Sequence, residues 1–588
     1  MGLCRLLSVA FLAFQLVCVN SLRANCPYQG PAFPKPTSLK SSDTIRTALA
    51  NITQTFISRD SEASTNPNGT SWSIQIFAAS DDEPIWEHYH TAPTLRDANT
   101  GGVKEVDGDT IYRVGSLTKI FTIATYLKEV GDETWNSPVT KYVPELEALA
   151  AQAESDPIMK VDWGDITLGA LAAHMAGIVR DYAIVGELTQ ENNQSSLIAQ
   201  GFPPAPVNDT PTCGEWPQCS REEFFAGLSN IPPSFAPSQT AGYSNAGYQI
   251  LAYALESITG KKFPDMLQAN IIDKLGLNHT YYQKPSDDLG VLPPNSDVGW
   301  SYSLGEASPT GNLYSSVNDL SRLGRAIFRN TLMSAAQTRR WLKPAALTSD
   351  LYAGVGYPWG VRRIPLGSGL NNGNRIVDAY GKAGSINVYS SLLVLVPDYD
   401  VGITALLAGA WPGNANWAIA DAIGAVLIPA LEETARLQAE GNFGGTYTSG
   451  GGDNTENSTL TLSTTPDRPG LGVERWISNG TDMWPVAIRY TLGYNVTNAG
   501  LRLYPTGIET TSAAADGMRK LAFKLVVEDL GAVYHDGVMF STNCGGWVSQ
   551  TTAVYADMPL DQFVFTVNAS GIAVSVETLA LRANLTKS

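Results

Sequence analysis

Strand-forming runs lie at both ends of residues 43–437, and helix-forming segments lie between them. Alternating polar and apolar side chains predict a strand pair over 71–79 and 83–90. Apolar runs predict three buried strands over 378–385, 388–396 and 401–408. Helical periodicity is found at 43–57, 167–175, 246–259, 315–329 and 416–437. This order predicts an α+β fold, in which one antiparallel sheet is assembled from both ends of the region, flanked by helices and accompanied by a helical subdomain.

The sequence Ser116-Leu-Thr-Lys119 opens a further helix, because apolar residues recur at helical spacing after it. A serine in the first turn has its hydroxyl near free backbone N–H groups, and a lysine three residues later lies on the same helix face. A desolvated lysine can accept the proton of a serine hydroxyl and so make it a nucleophile. This pattern occurs once in the chain, but alone it also fits an N-cap serine beside a solvated lysine.

Two further motifs carry side chains that such a nucleophile needs. Tyr243-Ser-Asn245 directly precedes the helix at 246–259, where it also fits an N-cap asparagine after a packed tyrosine. Lys382-Ala-Gly384-Ser385 lies at the edge of a predicted strand, where it also fits a surface lysine and a strand glycine. Since acyl transfer requires all three motifs, their joint occurrence favours the catalytic interpretation.

The side chains of the three motifs divide the proton transfers of an acyl-transfer reaction between them. We expect Ser116 to attack a carbonyl carbon, while Lys119 and the Tyr243 phenol take its proton and return it to the leaving group. Lys382 is expected to lower the pKa values of both Lys119 and Tyr243 through charge proximity. Asn245 is expected to orient Lys119 or the acyl side chain.

The backbone around the nucleophile is expected to stabilise the negative charge that develops on the carbonyl oxygen. The N–H groups of Ser116 and of Ser385 are candidates for this oxyanion hole. Gly384 has no side chain and so lets the substrate lie close to the strand edge. Together these groups predict a serine nucleophile with a preformed oxyanion site.

The motifs resemble those of the S-x-x-K serine acyl-enzyme superfamily, which includes class C β-lactamases, D-Ala-D-Ala carboxypeptidases and related esterases. Two supporting blocks are also similar to the family's: Ile166-Thr-Leu-Gly-Ala-Leu-Ala-Ala-His174 with Gly177, and Thr310-Gly-Asn-Leu-Tyr-Ser-Ser316 with Asp319-Leu320. The likeness covers residues 45–436 and is closest to secreted fungal β-lactamase-like proteins with an extra C-terminal β domain. It implies a β-lactamase/transpeptidase-like fold in which the role of His174 is structural.

The resemblance implies acyl transfer through a covalent seryl intermediate on a small-molecule ester, amide or peptide, with no cofactor and no metal. Tyr-x-Asn in place of Ser-Asp-Asn indicates the class C and esterase side of the superfamily. Ala383 departs from the pattern, because the family has a threonine there whose hydroxyl helps bind a substrate carboxylate. We therefore expect esters to be preferred. Two alternatives stay open: an acyltransferase using the same acyl-enzyme, and an inert β-lactamase-like binding protein.

Residues 1–21 are typical of a secretory signal, since Arg5 precedes an apolar core and 19–21 form an acceptable cleavage site. We therefore expect the protein to be secreted, without an integral membrane segment. A net charge of −17 argues against nucleic acid as a partner. His88 and His90 are assigned to a strand surface, and no metal site is predicted from them.

In a secreted protein, cysteines can form disulfides and Asn-x-Ser/Thr sequons can be glycosylated. Cys213 and Cys219 bracket a short loop and are expected to pair, which leaves Cys26 and Cys544 as candidates for a second disulfide. Four cysteines allow three connectivities, so this pairing is a preference. The candidate glycosylation sites are Asn51, Asn68, Asn193, Asn208, Asn278, Asn457, Asn479, Asn495, Asn568 and Asn584.

Changes in composition set the predicted domain boundaries. After the leader, the Pro-rich residues 22–42 are an extended lead-in, and 43–437 form the hydrolase domain. Residues 438–457 are rich in Gly, Ser and Asn and predict a flexible linker. Short alternating runs over 458–588 predict a small all-β domain, either a barrel or a sandwich.

Overall fold

A computed structural model describes residues 27–60, 66–151, 156–366, 375–410, 415–449, 457–494, 496–510, 517–531 and 545–588. The chain divides into two compact units. The larger unit is formed by Leu49–Arg363 and Ala379–Gly424. The smaller unit is formed by the described parts of Met1–Ala48, Ile364–Asp378 and Ala425–Ser588.

The larger unit confirms the prediction of a sheet built from both ends of one region. Its strands are β1 (Thr70–Ala78), β2 (Trp86–His90), β3 (Tyr112–Arg113), β4 (Tyr314–Ser315), β5 (Ala346–Leu347), β6 (Ala353–Val355), β7 (Gly360–Pro365), β8 (Ile376–Ile386), β9 (Tyr389–Val396) and β10 (Val401–Gly409). In the described residues, β3 pairs with β4 and the others form one sheet in the order β2-β1-β10-β9-β8-β7-β6-β5. The first and last strands, β1 and β10, pair antiparallel with Ile74 opposite Ala405.

Helices precede the sheet, fill the region between its two ends and follow it. In the described residues they span Asp43–Arg59, Pro93–Arg96, Thr118–Val130, Pro144–Ala150, Leu168–Ala172, Leu188–Glu191, Gln194–Ala199, Arg221–Leu228, Ala246–Thr259, Phe263–Leu267, Asp273–Leu275, Asp297–Ser301, Val317–Phe328, Ala335–Trp341 and Ala415–Phe443. The helix Thr118–Val130 lies in the core, because its first ten residues are all buried. The helix Val317–Phe328 packs closely on β1, since a Cβ added at Gly324 would lie 2.1 Å from the Phe77 ring.

Two helices end well away from the predicted positions. The helix expected at 167–175 ends at Ala172, because His174 adopts a left-handed φ of 59° that a helix cannot continue. The helix expected at 416–437 continues to Phe443 and so occupies the start of the predicted linker. Its last turns carry Ala435, Ala439 and Phe443 at helical spacing, and all three are buried in the core of the smaller unit.

The smaller unit is built mainly of antiparallel strands. They are β11 (Gly445–Thr448), β12 (Thr459–Thr465), β13 (Arg468–Ser478), β14 (Thr481–Asp482), β15 (Ala499–Glu509), β16 (Arg519–Asp529), β17 (Val554–Tyr555), β18 (Met558–Pro559), β19 (Gln562–Val567), β20 (Ala573–Thr578) and β21 (Ala583–Lys587). In the described residues the main sheet has the order β12-β11-β21-β20-β19-β16-β15-β13-β14, and β12 also pairs with β13, so the sheet closes on itself. One helix that was not predicted, Met483–Leu492, lies between β14 and β15.

The Pro-rich lead-in belongs to the core of the smaller unit. Ala32 and Phe33 are 1% and 3% exposed and lie in the same apolar cluster as Phe443. The Tyr28 ring meets the Tyr504 ring edge to face, with centroids 5.9 Å apart. The residues beyond 27 that composition alone predicted as an extended segment therefore stabilise this unit through apolar burial.

Candidate active site

Ser116 lies in a single 3₁₀ turn, Gly115–Leu117, that leads directly into the helix Thr118–Val130. Gly115 has a φ of +51°, which a residue with a side chain adopts only at a cost. The Thr118 hydroxyl closes the turn by donating to the Gly115 carbonyl at 2.7 Å. The turn presents Ser116 at the helix start and leaves Lys119 one turn further on, as predicted.

The structure brings the predicted proton-transfer groups to the Ser116 hydroxyl. The Tyr243 hydroxyl donates to Ser116 Oγ at 2.7 Å, and Lys119 Nζ lies 3.3 Å from the same atom. Tyr243, Ser244 and Asn245 directly precede the helix Ala246–Thr259, as the motif predicted. Residues separated by 127 positions in the chain thus form one hydrogen-bonded cluster.

Lys119 is completely buried, and acceptors surround its amine. Nζ donates to Asn245 Oδ1 at 2.6 Å and to the Thr310 carbonyl at 2.7 Å. Burial lowers the pKa of Lys119 to about 7; the Asp181 carboxylate opposes this shift and the Arg180 guanidinium adds to it. A substantial fraction of the amine is therefore neutral near pH 7, which a general base requires.

Asp181 is part of the site although nothing in the sequence distinguished it from other acidic loop residues. Its carboxylate is 5% exposed and accepts from Asn245 Nδ2 at 2.9 and 3.0 Å. An ionised carboxylate can only accept, so it holds the amide nitrogen of Asn245 toward itself and the amide oxygen toward Lys119. The chain Asp181–Asn245–Lys119–Ser116 is continuous through hydrogen bonds. The Thr310 carbonyl was also not predicted, because every residue has a backbone carbonyl and a motif cannot show which one accepts a hydrogen bond.

Lys382 lies on β8 with its ammonium 5.4 Å from the centre of the Tyr243 ring. It is 8% exposed and donates to the Ala383 carbonyl at 2.5 Å. Burial is the main cause that lowers the pKa of Lys382 to about 8, with the Lys119 charge as a smaller contribution. Lys119 and Lys382 repel each other as expected, but burial is the largest cause of the lowered pKa of Lys119, and the Arg180 charge adds to it.

His174 holds the backbone on both sides of Tyr243. Its carbonyl accepts from the Gly242 N–H at 2.8 Å, and its Nδ1 accepts from the Ser244 N–H at 3.2 Å. Its ring also packs on the Tyr243 ring, with centroids 4.5 Å apart. Burial and three nearby cations hold the pKa of His174 well below its usual value, so the ring stays neutral and can accept at Nδ1.

The predicted oxyanion-hole residues lie against each other. A Cβ added at Gly384 would lie 2.8 Å from the Ser116 nitrogen, and one added at Gly115 would lie 2.8 Å from the Ser385 nitrogen. Glycine is therefore required at both positions for β8 to approach the Ser116 turn. This close approach places the Ser116 and Ser385 backbone beside each other at the nucleophile.

A cavity of about 320 Å³ opens onto Ser116. Its lining is mostly apolar, with two carboxylates: Gly115, Ser116, Asp181, Ile184, Val185, Glu215, Asn245, Gly299, Tyr302, Leu304, Ala307, Thr310, Gly311, Ser385, Ile386 and Asn387. A second cavity of about 170 Å³ shares Ile184 and Glu215 with the first. The lining favours an apolar acyl group or leaving group on the substrate.

The remaining predicted residues divide into those that the structure describes and those that it does not. A disulfide joins Cys213 and Cys219, while the leader, Cys26 and Cys544 lie outside the described residues. His88 and His90 are partly buried beside Asp60, rather than on an open strand surface, with His88 Nε2 3.1 Å from Asp60 Oδ1. In the described ranges, no group of three or more His, Cys, Asp or Glu side chains is arranged to hold a metal ion.

The described sequons lie mostly at the surface. The exposed asparagines are Asn51, Asn68, Asn193, Asn278, Asn457, Asn479 and Asn584. Asn568 is partly buried, and the Asn208 side chain and Asn495 lie outside the described parts of the chain. Within those parts, no helix is both long and apolar enough to cross a membrane.

The α+β sheet, with a serine, a lysine and a tyrosine in contact beside it, is the arrangement expected of a β-lactamase-like protein. The family model described as Beta-lactamase matches residues 73–424, and that described as Beta-lactamase-like-like, C-terminal domain matches residues 435–588. The chain belongs to the β-lactamase family and carries this C-terminal domain.

Two relatives are similar to this chain over most of its length. The Beta-lactamase-like protein of Arthroderma benhamiae is 30% identical, over 95% of each chain. The Probable hydrolase M10 of a Phoma species is 26% identical, over 78% of this chain and 74% of its own length. A solved structure of a class C beta-lactamase matches with 16% identity and a TM-score of 0.45, over 66% of this chain and 97% of its own.

Proposed function

We propose that this protein is a secreted serine hydrolase that cleaves esters through a covalent acyl-enzyme on Ser116. The observation that carries the proposal is the pair of contacts at Ser116 Oγ: the Tyr243 hydroxyl at 2.7 Å and the Lys119 amine at 3.3 Å. Burial holds the pKa of that amine at about 7, so it can accept a proton near neutral pH.

Acylation begins with proton transfer from the Ser116 hydroxyl to the neutral Lys119 amine or through the Tyr243 phenol. Ser116 Oγ then bonds to the ester carbonyl carbon, and the carbonyl oxygen becomes an oxyanion. The backbone N–H groups of Ser116 and Ser385 stabilise that charge. Collapse of the intermediate breaks the bond to the alcohol, and Tyr243 returns the proton to the departing oxygen.

Deacylation repeats the sequence with water in place of the serine hydroxyl. Water enters where the alcohol left, and the Lys119–Tyr243 pair takes its proton as its oxygen bonds to the acyl carbon. The bond to Ser116 Oγ then breaks, and the proton returns to Oγ. Each proton transfer in both half-reactions is thus assigned to a side chain at Ser116.

Ala383 supports an ester rather than a carboxylate-bearing β-lactam as substrate. The adjacent Lys382 amine donates to the Ala383 carbonyl at 2.5 Å, and the alanine side chain has no donor to add. A substrate carboxylate therefore loses one hydrogen bond to a charged group, worth roughly 1.5–3 kcal/mol. An ester without a carboxylate loses nothing at this position.

The test compares kcat/KM for 4-nitrophenyl acetate and for a chromogenic cephalosporin in the wild-type protein and in Ser116→Ala. We expect ester hydrolysis to exceed cephalosporin hydrolysis and to disappear in Ser116→Ala, while the far-ultraviolet circular dichroism stays unchanged. Ser80→Ala is the matched control, because Ser80 lies exposed in the turn after β1. Ester turnover that survives in Ser116→Ala would show that Ser116 is not the nucleophile.

Secretion forms part of the proposal and has its own test. The basic residue and apolar core of residues 1–21, together with seven exposed sequon asparagines, support export through a glycosylating pathway. Protein collected from the medium of a eukaryotic host should begin at Leu22 and lose mass on treatment with an N-glycosidase. An intact N-terminus on protein retained in the cells would contradict secretion.

A further inference from the structure

The loop closed by the Cys213–Cys219 disulfide is anchored to the wall of the Ser116 cavity. Gln190 Nε2 donates to the Cys213 carbonyl at 2.7 Å. The Trp216 ring meets the Tyr302 ring edge to face, with centroids 5.5 Å apart, and Tyr302 lines the cavity. The loop closed by the disulfide thus contacts one residue that lines each cavity: Tyr302 in the Ser116 cavity and Gln190 in the second cavity.

This loop contributes Glu215 to both cavities at once. Glu215 lines the Ser116 cavity with Asp181, and it lines the second cavity with Glu187 and Glu191. In the described residues that line either cavity there is no Lys, Arg or His. A group that extends from the scissile bond toward this wall therefore meets the Glu215 carboxylate, whereas the cations of the site, Arg180, Lys119 and Lys382, lie beside Asp181 and Tyr243.

Glu215 differs from the other carboxylates in having a free charge. Asp181 is bonded to Asn245 and lies 3.5 Å from Arg180 Nε. Glu187 accepts from the Thr189 N–H, and Glu191 accepts from the Gly186 N–H. Among the described residues, the Glu215 carboxylate forms no hydrogen bond or ion pair, so its charge is available to a group that occupies either cavity it lines.

We propose that the Cys213–Cys219 loop is the specificity wall of the Ser116 site, and that Glu215 selects substrates whose group beyond the scissile bond is neutral or cationic and rejects anionic ones. This inference rests on the proposed ester hydrolysis at Ser116 and names its substrate class. Trp216 supports it, because its side chain is 69% exposed, lines the second cavity and offers an aromatic face to a cation. Apolar residues at the mouth, Ile184 and Val185, accommodate the uncharged part of the same group.

The size of the effect follows from the exposure of Glu215. A charge pair in this partly solvated wall is screened, so each unit charge on the substrate changes kcat/KM by roughly three- to tenfold. The change is larger at low ionic strength, because dissolved salt screens exposed charges over about 10 Å at 0.1 M. Anionic and cationic substrates must therefore respond to Glu215 in opposite directions.

The test uses three 4-nitrophenyl esters whose acyl chains have the same length and end in a methyl, a carboxylate or a trimethylammonium group. We measure kcat/KM for each at 20 and 200 mM salt in the wild-type protein and in Glu215→Gln. The substitution is expected to raise the value for the carboxylate ester and lower that for the trimethylammonium ester, each by roughly three- to tenfold at low salt. The methyl ester should change less than twofold. Glu222→Gln, exposed on the helix Arg221–Leu228, is the matched control and should alter none of the three.

A second variant tests the disulfide. Replacing Cys213 and Cys219 by serine together releases the loop, and the discrimination between the charged esters should shrink while the methyl ester is still hydrolysed. If the kcat/KM values of the two charged esters relative to the methyl ester are unchanged in Glu215→Gln, the proposed role of Glu215 is wrong. If they are unchanged in the double serine variant, the proposed role of the loop closure is wrong. If the wild-type protein hydrolyses none of the esters, the proposed function itself has failed, which is a different outcome.

Discussion

The Asp181→Asn substitution tests most directly whether the Asp181 charge controls the pKa of Lys119. One amide group, that of Asn245, lies between the Asp181 carboxylate and the Lys119 amine. Their charges are therefore roughly 6 to 7 Å apart, given two hydrogen bonds and one amide. At an effective dielectric constant of about 20, this separation gives an attraction of about 2–3 kcal/mol between the carboxylate and the ammonium.

The sign of the effect follows from which form of Lys119 the carboxylate stabilises. The Asp181 charge favours the ammonium and so raises the pKa of Lys119, against the larger lowering by burial. Removing the charge should lower that pKa by about one to two pH units. The Arg180, Lys382 and His174 side chains remain in place, and none of them supplies a replacement negative charge. More of the lysine is then neutral at low pH.

The assay is the pH dependence of kcat/KM for 4-nitrophenyl acetate between pH 4.5 and 9. In the wild-type protein the acid limb should have its midpoint near the Lys119 pKa of about 7; in Asp181→Asn it should lie about one to two units lower. The plateau should also fall, because a neutral amide at position 181 no longer fixes the orientation of the Asn245 amide.

A purely structural role for Asp181 would leave the midpoint where it is. The control is Asp319→Asn, which changes another buried carboxylate that accepts from the His279 N–H. It should lower stability without moving the acid limb. An Asp181→Asn profile whose midpoint coincides with that of the wild-type protein would refute the coupling of Asp181 to Lys119.

Two further substitutions test the recognition and the proton transfer. Ala383→Thr places a hydroxyl beside Lys382. It should raise the ratio of kcat/KM for a chromogenic cephalosporin to that for the acetate ester by roughly ten- to a hundredfold. If this ratio is unchanged, the missing hydroxyl does not limit carboxylate substrates. Tyr243→Phe removes the donor at 2.7 Å from Ser116 Oγ and should lower kcat by roughly a hundredfold or more with the fold intact by circular dichroism; full activity would assign the proton transfers to Lys119 alone.

Five strands of the main sheet, β1, β2, β8, β9 and β10, were predictable from the periodicity and composition of their sequences, whereas β5, β6 and β7 were not predicted. The run Thr70–Ala78 is buried at every position, and the β9 and β10 runs are nearly so. The apolar runs of β9 and β10 are visible in any window of the sequence, whereas β1 was predicted from its alternating side chains although both of its faces are buried. The pairing of β1 with β10, which are far apart in the chain, followed from placing strands at both ends of one helical region.

The side chains of the candidate site were predictable where a sequence motif contains them. Ser116, Lys119, Tyr243 and Asn245 come together as their spacing indicated. Asp181 could not be predicted, because its role depends on the distant Asn245 amide and its own neighbours in the chain resemble any polar loop. The sequence motifs therefore identify the candidate reacting side chains but not the hydrogen-bond network that orients them.

Long-range burial was the other source of error. The lead-in looks solvated from its prolines, yet Phe33 is 3% exposed in the smaller unit. The sequence likewise suggested both desolvation and charge proximity at Lys119 without ranking them, and burial is the largest cause of its lowered pKa. The burial of Phe33 and the pKa of Lys119 both depend on how much water the folded chain excludes, and this cannot be predicted from a local sequence pattern.

The measurement that tests the central claim most directly is the mass of the protein trapped during turnover. The protein is incubated with an activated ester that acylates it faster than it is hydrolysed, quenched in acid, digested and mapped by tandem mass spectrometry. We predict one acyl group per chain, on the Ser116 hydroxyl, and none in Ser116→Ala. An acyl group on any other residue, or hydrolysis of the ester with no trapped adduct at any quench time, would contradict the acyl-enzyme mechanism.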